Sequence, residues 1–125
     1  MAVWKFNRGE WTEAYVFMRL LGDGRIYGAS SELTKDDSTY IDIIKIIRDE
    51  PDKMLIFERF VEANFSYVKA SKDGECIKVV TAPDLSKYAQ VLYDNIKNLT
   101  TKRGTSVVEV QNYLESLGID SPKAN

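Results

Sequence analysis

The chain has 125 residues, of which 44% are hydrophobic and 29% are charged, so its composition is that of an ordered domain with one hydrophobic core and not that of a disordered chain. It contains no histidine and a single cysteine, Cys76, which excludes histidine general bases, disulfides within the chain and the usual zinc sites. The 17 basic and 19 acidic residues give a net charge of -2, which argues against binding nucleic acid through a general excess of positive charge.

The sequence also predicts a cytoplasmic protein without a membrane segment. The longest stretch free of charged residues has only six residues, far short of the roughly 20 apolar residues that span a bilayer. The N-terminus has no apolar segment or cleavage site of the secretory type. Cys76 lies beside Ile77, and we expect it to be a buried, unreactive thiol.

The first predicted element is a helix from Gly9 to Leu21. Its apolar residues recur at helical spacing, and no proline or glycine interrupts them. Asn7 and Glu10 form a capping-box pattern at its start. Glycines at positions 22 and 24 end it, and an extended segment follows from Ile26.

The middle of the chain reads as a loop followed by β structure. Residues 30–39 are polar and acidic and predict a loop. Tyr40–Arg48 contains five isoleucines, which favour a strand that is buried on much of both faces. A short helix over the same residues is the alternative. A turn at residues 49–52 is then followed by the strand patterns MLIFERFV and NFSYVKA.

The remaining signals complete an α+β fold. Asp73–Gly74 predicts a tight hairpin within an antiparallel sheet of about four strands. Pro83 suits the first turn of a second helix. Ser106 and Glu109 form a capping-box pattern for a third helix, which ends at Gly118. The predicted order is therefore an N-terminal helix, the sheet and two C-terminal helices in one domain.

Glu13 is the unusual residue of the first helix. At about 100° per residue it falls between Phe17 and Leu20, within the apolar arc, so we expect its carboxylate to point toward the core. A buried carboxylate needs a metal ion, a cation or a hydrogen-bond donor, which makes Glu13 a candidate site residue. In the alternative, purely structural interpretation, the helix dipole stabilises Glu13 and it pairs with one of the arginines that flank the helix, which are Arg8, Arg19 and Arg25.

Two segments of the chain resemble a known family. Residues 7–13, NRGEWTE, resemble the opening of the HpaII-type restriction endonucleases. Residues 113–124, YLESLGIDSPKA, resemble the segment that leads into the catalytic strands in that family. The resemblance implies a nuclease of the PD-(D/E)XK superfamily, in which acidic residues and a lysine hold Mg²⁺ and activate water against a phosphodiester. It also implies a cytoplasmic type II site-specific deoxyribonuclease whose substrate is double-stranded DNA.

The catalytic tripeptide of that superfamily is not found in this chain. None of the 11 lysines has an acidic residue two positions before it. We therefore expect residues 1–125 to be a single N-terminal domain of a longer nuclease, with the catalytic core after residue 125. We expect this domain alone to be inactive and to hold no cofactor, with Mg²⁺ bound in the whole enzyme. The resemblance carries over Glu13 as a possible catalytic residue that approaches the metal site from the first helix.

DNA contact is expected at Lys102 and Arg103, the adjacent basic pair of the chain, together with Lys97 one helical turn earlier. Basic side chains between two helices are placed to touch phosphates, although a solvated turn is the alternative. Gln111 and Asn112 carry amides of the kind that read adenine edges. Contact with the DNA backbone is the alternative role of the arginines that flank the first helix, which are Arg8, Arg19 and Arg25. The competing functional hypothesis is a non-catalytic protein-binding α+β module that recognises its partner through an exposed apolar face.

Overall fold

The computed structural model describes residues 3–29, 35–99 and 104–120, and for residues 27–29 and 35–39 it describes the backbone alone. Helices lie at both ends of the described chain and strands lie between them, which confirms the predicted α+β class. The elements are, in chain order, α1 (Arg8–Asp23), β1 (Arg25–Ala29), β2 (Lys35–Asp42), β3 (Lys45–Glu50), β4 (Lys53–Val61), β5 (Ser66–Lys72), β6 (Glu75–Thr81), α2 (Ala82–Ile96) and α3 (Val108–Ser116).

The strands form two antiparallel sheets. β3, β4, β5 and β6 pair in sequence order as a four-stranded meander, and β1 pairs with β2 as a separate two-stranded sheet. Asp73 and Gly74 have φ angles of 52° and 89°, the left-handed conformation that a two-residue turn of this hairpin requires. The four-stranded sheet and its hairpin are thus confirmed, whereas the two-stranded sheet was not predicted.

The ends of α1 follow the sequence signals. The Asn7 side chain accepts a hydrogen bond from the Glu10 N–H at 2.9 Å, and the Glu10 carboxylate accepts one from the Asn7 N–H at 3.0 Å. Gly24 ends the helix with a φ of 75°, and its N–H donates to the Leu20 carbonyl at 2.9 Å. The predicted capping box and glycine stop are therefore both confirmed.

The core lies between the helices and one face of the four-stranded sheet. Trp4, Phe6 and Trp11 form an aromatic cluster with ring-centre distances of 5.2 to 6.3 Å. The Trp11 indole N–H also donates to the Thr105 carbonyl at 2.9 Å. These contacts join the N-terminal segment to the start of the last helix. The largest fully buried side chains are Trp11, Phe57, Met18, Leu21, Leu55, Leu85, Leu92, Leu114, Leu117, Ile119, Val68 and Val110.

The segment Tyr40–Arg48 is neither one buried strand nor a helix. β2 ends at Asp42 and β3 begins at Lys45, so the segment contributes to both sheets. The Ile43 N–H donates to the carbonyl of Gly24, while the Ile44 carbonyl accepts from the N–H of Arg59, each at 2.8 Å. The segment is not buried on both faces, because several of its large side chains are exposed: Tyr40 and Ile41 on β2, Ile44 between the strands and Ile47 on β3.

Three further expectations are corrected. Residues 35–39 belong to β2 and not to a loop, because they pair with β1, while residues 30–34 lie outside the described ranges. The cap of α3 is Val107, without a side-chain hydrogen bond, because Val107 is buried in the core and moves the helix start past Ser106. Cys76 is exposed, because β6 is an edge strand of the four-stranded sheet.

None of the helices in the described ranges combines the length and apolar character of a membrane span.

Candidate functional site

Glu13 is exposed on the surface of α1, so the expectation of a core-facing carboxylate is wrong. The buried residues of α1 include Trp11, Ala14 and Met18, and the helix packs mainly against α2. The side of α1 that α2 covers is therefore not the side on which Glu13 lies. Leu20, which was placed next to Glu13 in the predicted apolar arc, is itself only half-buried. The apolar residues of α1 thus extend over a wider arc of the helix than neighbouring elements cover.

Two of the three arginines suggested as partners for Glu13 bind elsewhere. Arg19 pairs with Asp23 at 3.2 Å, and Arg25 pairs with Asp42 at 3.0 Å. Within the described part of the chain, Glu13 has no hydrogen bond or ion pair of its own. Its carboxylate is therefore exposed to solvent and unpaired among the described residues.

Glu13 is exposed, but the residue one helical turn later is packed against the four-stranded sheet. Phe17, one helical turn later, packs edge to face on Phe57 of β4 with ring centres 5.0 Å apart. The Arg48 guanidinium lies 5.9 Å from the centre of the Phe17 ring. Glu13 and Phe17 are neighbours on the surface of α1, since residues four apart in a helix lie on the same side.

The described residues do not make a metal site around Glu13. Residues 3–29, 35–99 and 104–120 contain no group of three histidine, cysteine, aspartate or glutamate side chains placed to hold a metal ion. Glu13 alone offers one carboxylate, whereas Mg²⁺ takes several oxygen ligands at near-octahedral geometry.

A groove of about 160 Å³ lies between the start of α1 and the end of α2. The rings of Tyr15 and Tyr93 are 5.8 Å apart in this groove. The Lys97 ammonium lies 5.9 Å from the Tyr93 ring and 3.6 Å from the Asp94 carboxylate. The residues that line the groove, called here the α1–α2 groove, are Arg8, Thr12, Tyr15, Tyr93, Ile96 and Lys97.

Of the three basic residues predicted to contact DNA, only one lies within the described ranges. Lys97 is exposed at the C-terminal cap of α2, on the rim of the α1–α2 groove, whereas Lys102 and Arg103 lie outside the described residues. Sequence reasoning considered Arg8 as a partner of Glu13 or as a contact to the DNA backbone, but it missed the place of Arg8 in the same groove as Lys97. No sequence signal joined these two cations, since they are far apart in the chain and only the packing of α1 on α2 brings them together.

Gln111 is not available to read a base. Only 3% of its surface is exposed, and its side-chain oxygen accepts a hydrogen bond from the Trp4 N–H at 2.8 Å. Its spacing from Val107 and Leu114 places it on the buried side of α3, which is the signal that could have indicated this role. Asn112 remains exposed.

Comparison with known proteins identifies the family. The model of the HpaII restriction endonuclease family matches residues 7–125, which include Arg8, Glu13 and Lys97. The chain belongs to the HpaII restriction endonuclease family. The type II restriction enzyme HpaII of Haemophilus parainfluenzae is 30% identical over 112 residues, which cover 90% of this chain and 30% of that protein. No solved structure matches the chain.

The matched relative is thus much longer than this chain, which spans 30% of its length. Family membership confirms the resemblance seen in the NRGEWTE segment. The roles of the individual side chains must be argued from their positions in this structure.

Proposed function

We propose that this chain is the N-terminal domain of a type II site-specific deoxyribonuclease and that it positions double-stranded DNA. Family membership supports the nuclease, and the α1–α2 groove supports the positioning role. The observation that carries the proposal is that Arg8 and Lys97 line one exposed groove with two tyrosines, although the chain as a whole is acidic. Phosphate contacts from arginine and lysine orient a protein on a duplex without reading its sequence.

Both cations can reach a phosphate at low cost. The ion pair between Lys97 and Asp94 is half exposed on both sides, and such pairs contribute about 0 to 1 kcal/mol. A DNA phosphate can therefore replace Asp94 as the partner of Lys97. Arg8 has no ion pair within the described part of the chain. Lys102 and Arg103 are proposed to extend this contact.

The roles proposed for Glu13 and Mg²⁺ concern the whole enzyme and not this chain alone. Glu13 is exposed, and we propose that its carboxylate approaches a metal site formed by other residues, with Mg²⁺ as the cofactor of the whole enzyme. The described residues alone do not hold the ion. We therefore propose a supporting role for this domain and no cleavage by the domain itself.

The groove is tested by measuring DNA binding as a function of salt. Replacing Arg8 and Lys97 together with alanine is expected to weaken duplex binding roughly tenfold. It should also lower the slope of log affinity against log salt by about 2, because two phosphate contacts are lost. The measurement is fluorescence anisotropy of a labelled duplex at several salt concentrations.

Lys87→Ala is the matched control for this experiment. Lys87 is exposed on α2 but does not line the groove, so the loss of its charge should leave the salt slope unchanged. Equal losses for Lys87→Ala and the double variant would contradict the groove as the contact.

Absence of salt-sensitive DNA binding in the unmodified chain would favour the competing hypothesis, a protein-binding module. One observation supports that hypothesis. Ile47, Met54 and Val79 are exposed on the face of the four-stranded sheet opposite the core. A protein-binding module with net negative charge would bind a protein partner and show no such dependence on salt.

The isolated chain is expected to leave DNA intact. Plasmid DNA incubated with the chain and Mg²⁺ should show no nicking or linearisation on an agarose gel. The reason is that Glu13 lacks companion carboxylates within the described part of the chain. Cleavage by the unmodified chain that disappears in Glu13→Ala would overturn the proposal of a non-catalytic domain.

A further inference from the structure

A second cavity, of about 480 Å³, lies where the end of α1, the link between β2 and β3 and the β4–β5 hairpin meet. Backbone hydrogen bonds hold this junction together. The Ile43 N–H donates to the Gly24 carbonyl, and the Arg59 N–H donates to the Ile44 carbonyl, each at 2.8 Å. The cavity, called here the Arg59 cleft, therefore has walls from three fixed parts of the fold.

Arg59 is held in place within this cleft. Its Nε donates to the Leu21 carbonyl at 3.0 Å, near the end of α1. The guanidinium lies across Gly24, where an added Cβ would clash with the Arg59 Cζ unless the arginine moved. Gly24 is thus required both for its positive φ and for the close approach of the arginine. The hydrogen bond of Nε fixes the side chain. The two terminal nitrogens form no ion pair with a carboxylate among the described residues.

The other charges of the cleft largely cancel. Asp23 and Asp42 both line it, but each is paired with a different arginine. Arg19 binds Asp23 at 3.2 Å, and Arg25 binds Asp42 at 3.0 Å. Among the described residues, Arg59 has no acidic partner. Its positive charge is therefore the one in the cleft that no carboxylate balances.

We propose that the Arg59 cleft binds a phosphate group. The planar guanidinium fork matches the oxygens of phosphate, and Ser66, which also lines the cleft, carries a second hydrogen-bond donor. The cleft volume falls within the range of about 300 to 1,000 Å³ that is usual for small-molecule sites. The preference for phosphate over other oxyanions rests on the proposed function. The phosphate belongs either to the DNA backbone or to a small free molecule.

The test is a titration of the chain with inorganic phosphate at constant ionic strength, followed by the NMR signal of the Arg59 side-chain Nε–H. A saturable shift is expected with phosphate and not with chloride. Arg59→Gln should abolish phosphate binding, as followed by the remaining signals of the cleft. Because that change also removes the hydrogen bond to Leu21, a second variant is needed that leaves Arg59 in place.

Asp23→Asn supplies this second variant. It removes a negative charge from the cleft and releases Arg19, so phosphate affinity should rise roughly threefold. Glu109→Gln also removes one exposed negative charge, but Glu109 lines neither the Arg59 cleft nor the α1–α2 groove, so this control should leave the affinity unchanged. A purely structural role for Arg59 predicts no gain in Asp23→Asn.

Competition identifies the source of the phosphate. Displacement of inorganic phosphate by a short duplex would assign the site to the DNA backbone. Retention of phosphate in the presence of the duplex would assign it to a small phosphate compound. The absence of a saturable shift, or an unchanged affinity in Asp23→Asn, would overturn the proposal. Because inorganic phosphate is measured directly, this result does not depend on whether the α1–α2 groove binds DNA.

Discussion

Trp11→Ala is expected to lower the free energy of unfolding by about 4 kcal/mol. Trp11 is fully buried, and its ring centre lies 5.2 Å from that of Phe6 and 6.3 Å from that of Trp4. The substitution removes these contacts, leaves a cavity and deprives the Thr105 carbonyl of its indole donor. Urea denaturation followed by circular dichroism measures the effect.

Glu13→Ala is the matched control on the same helix. Its side chain is exposed, so the change should alter the free energy of unfolding by no more than about 0.5 kcal/mol. A loss below about 1 kcal/mol for Trp11→Ala would contradict the packing of the N-terminal segment on the core.

Asp120→Ala is expected to destabilise the fold by about 2 kcal/mol, because it removes a hydrogen bond to a charged group. The Lys53 ammonium is buried and donates this bond to the Asp120 carboxylate. Without Asp120 the ammonium would stay buried with less compensation. Asp94→Ala breaks an exposed pair with Lys97 and serves as the control, with an expected loss of about 0.5 kcal/mol or less. Equal losses in the two variants would contradict a special role for the buried lysine.

The same pair makes a prediction about alkaline pH. Burial lowers the pKa of Lys53, but the hydrogen bond and charge of Asp120, together with Glu50 and Asp52, outweigh it and hold the pKa above its ordinary value of 10.5. Because the folded state binds this proton more tightly than the unfolded state, the resulting stability is fully present below pH 10.5. It is lost as the pH rises through the raised value.

Lys53→Met isolates this effect in denaturation experiments from neutral to alkaline pH. The contribution of the Lys53 charge should appear as a stability difference from the variant that shrinks above pH 10.5. Burial also raises the pKa of Tyr113, which lowers stability at high pH in both proteins and cancels in the difference. A difference that grows with pH would contradict the sign of the Lys53 shift.

The local signals of the sequence were sufficient for much of the fold. Asn7 and Glu10 specify the start of α1 through neighbouring backbone groups, and Asp73–Gly74 specifies a turn through its own φ angles. Such signals involve residues close in the chain, so they can be read without knowledge of the rest of the structure.

The candidate site was less predictable. Glu13 and Lys97 were identified as residues of interest, but the expected burial of Glu13 was wrong, and the position of Arg8 across the groove from Lys97 was missed. A helical wheel shows which residues share a side. It does not show which side another helix covers, because that depends on packing between distant segments.

By itself, the sequence determined the class of the fold, the capped first helix, the hairpin and membership in the HpaII family through the segment that contains Glu13. Only the tertiary structure decided that Tyr40–Arg48 divides between two sheets, that Gln111 is buried and that Cys76 is exposed. The physical reason is common to these cases. Burial depends on the elements that pack over a residue, and those elements come from distant parts of the chain.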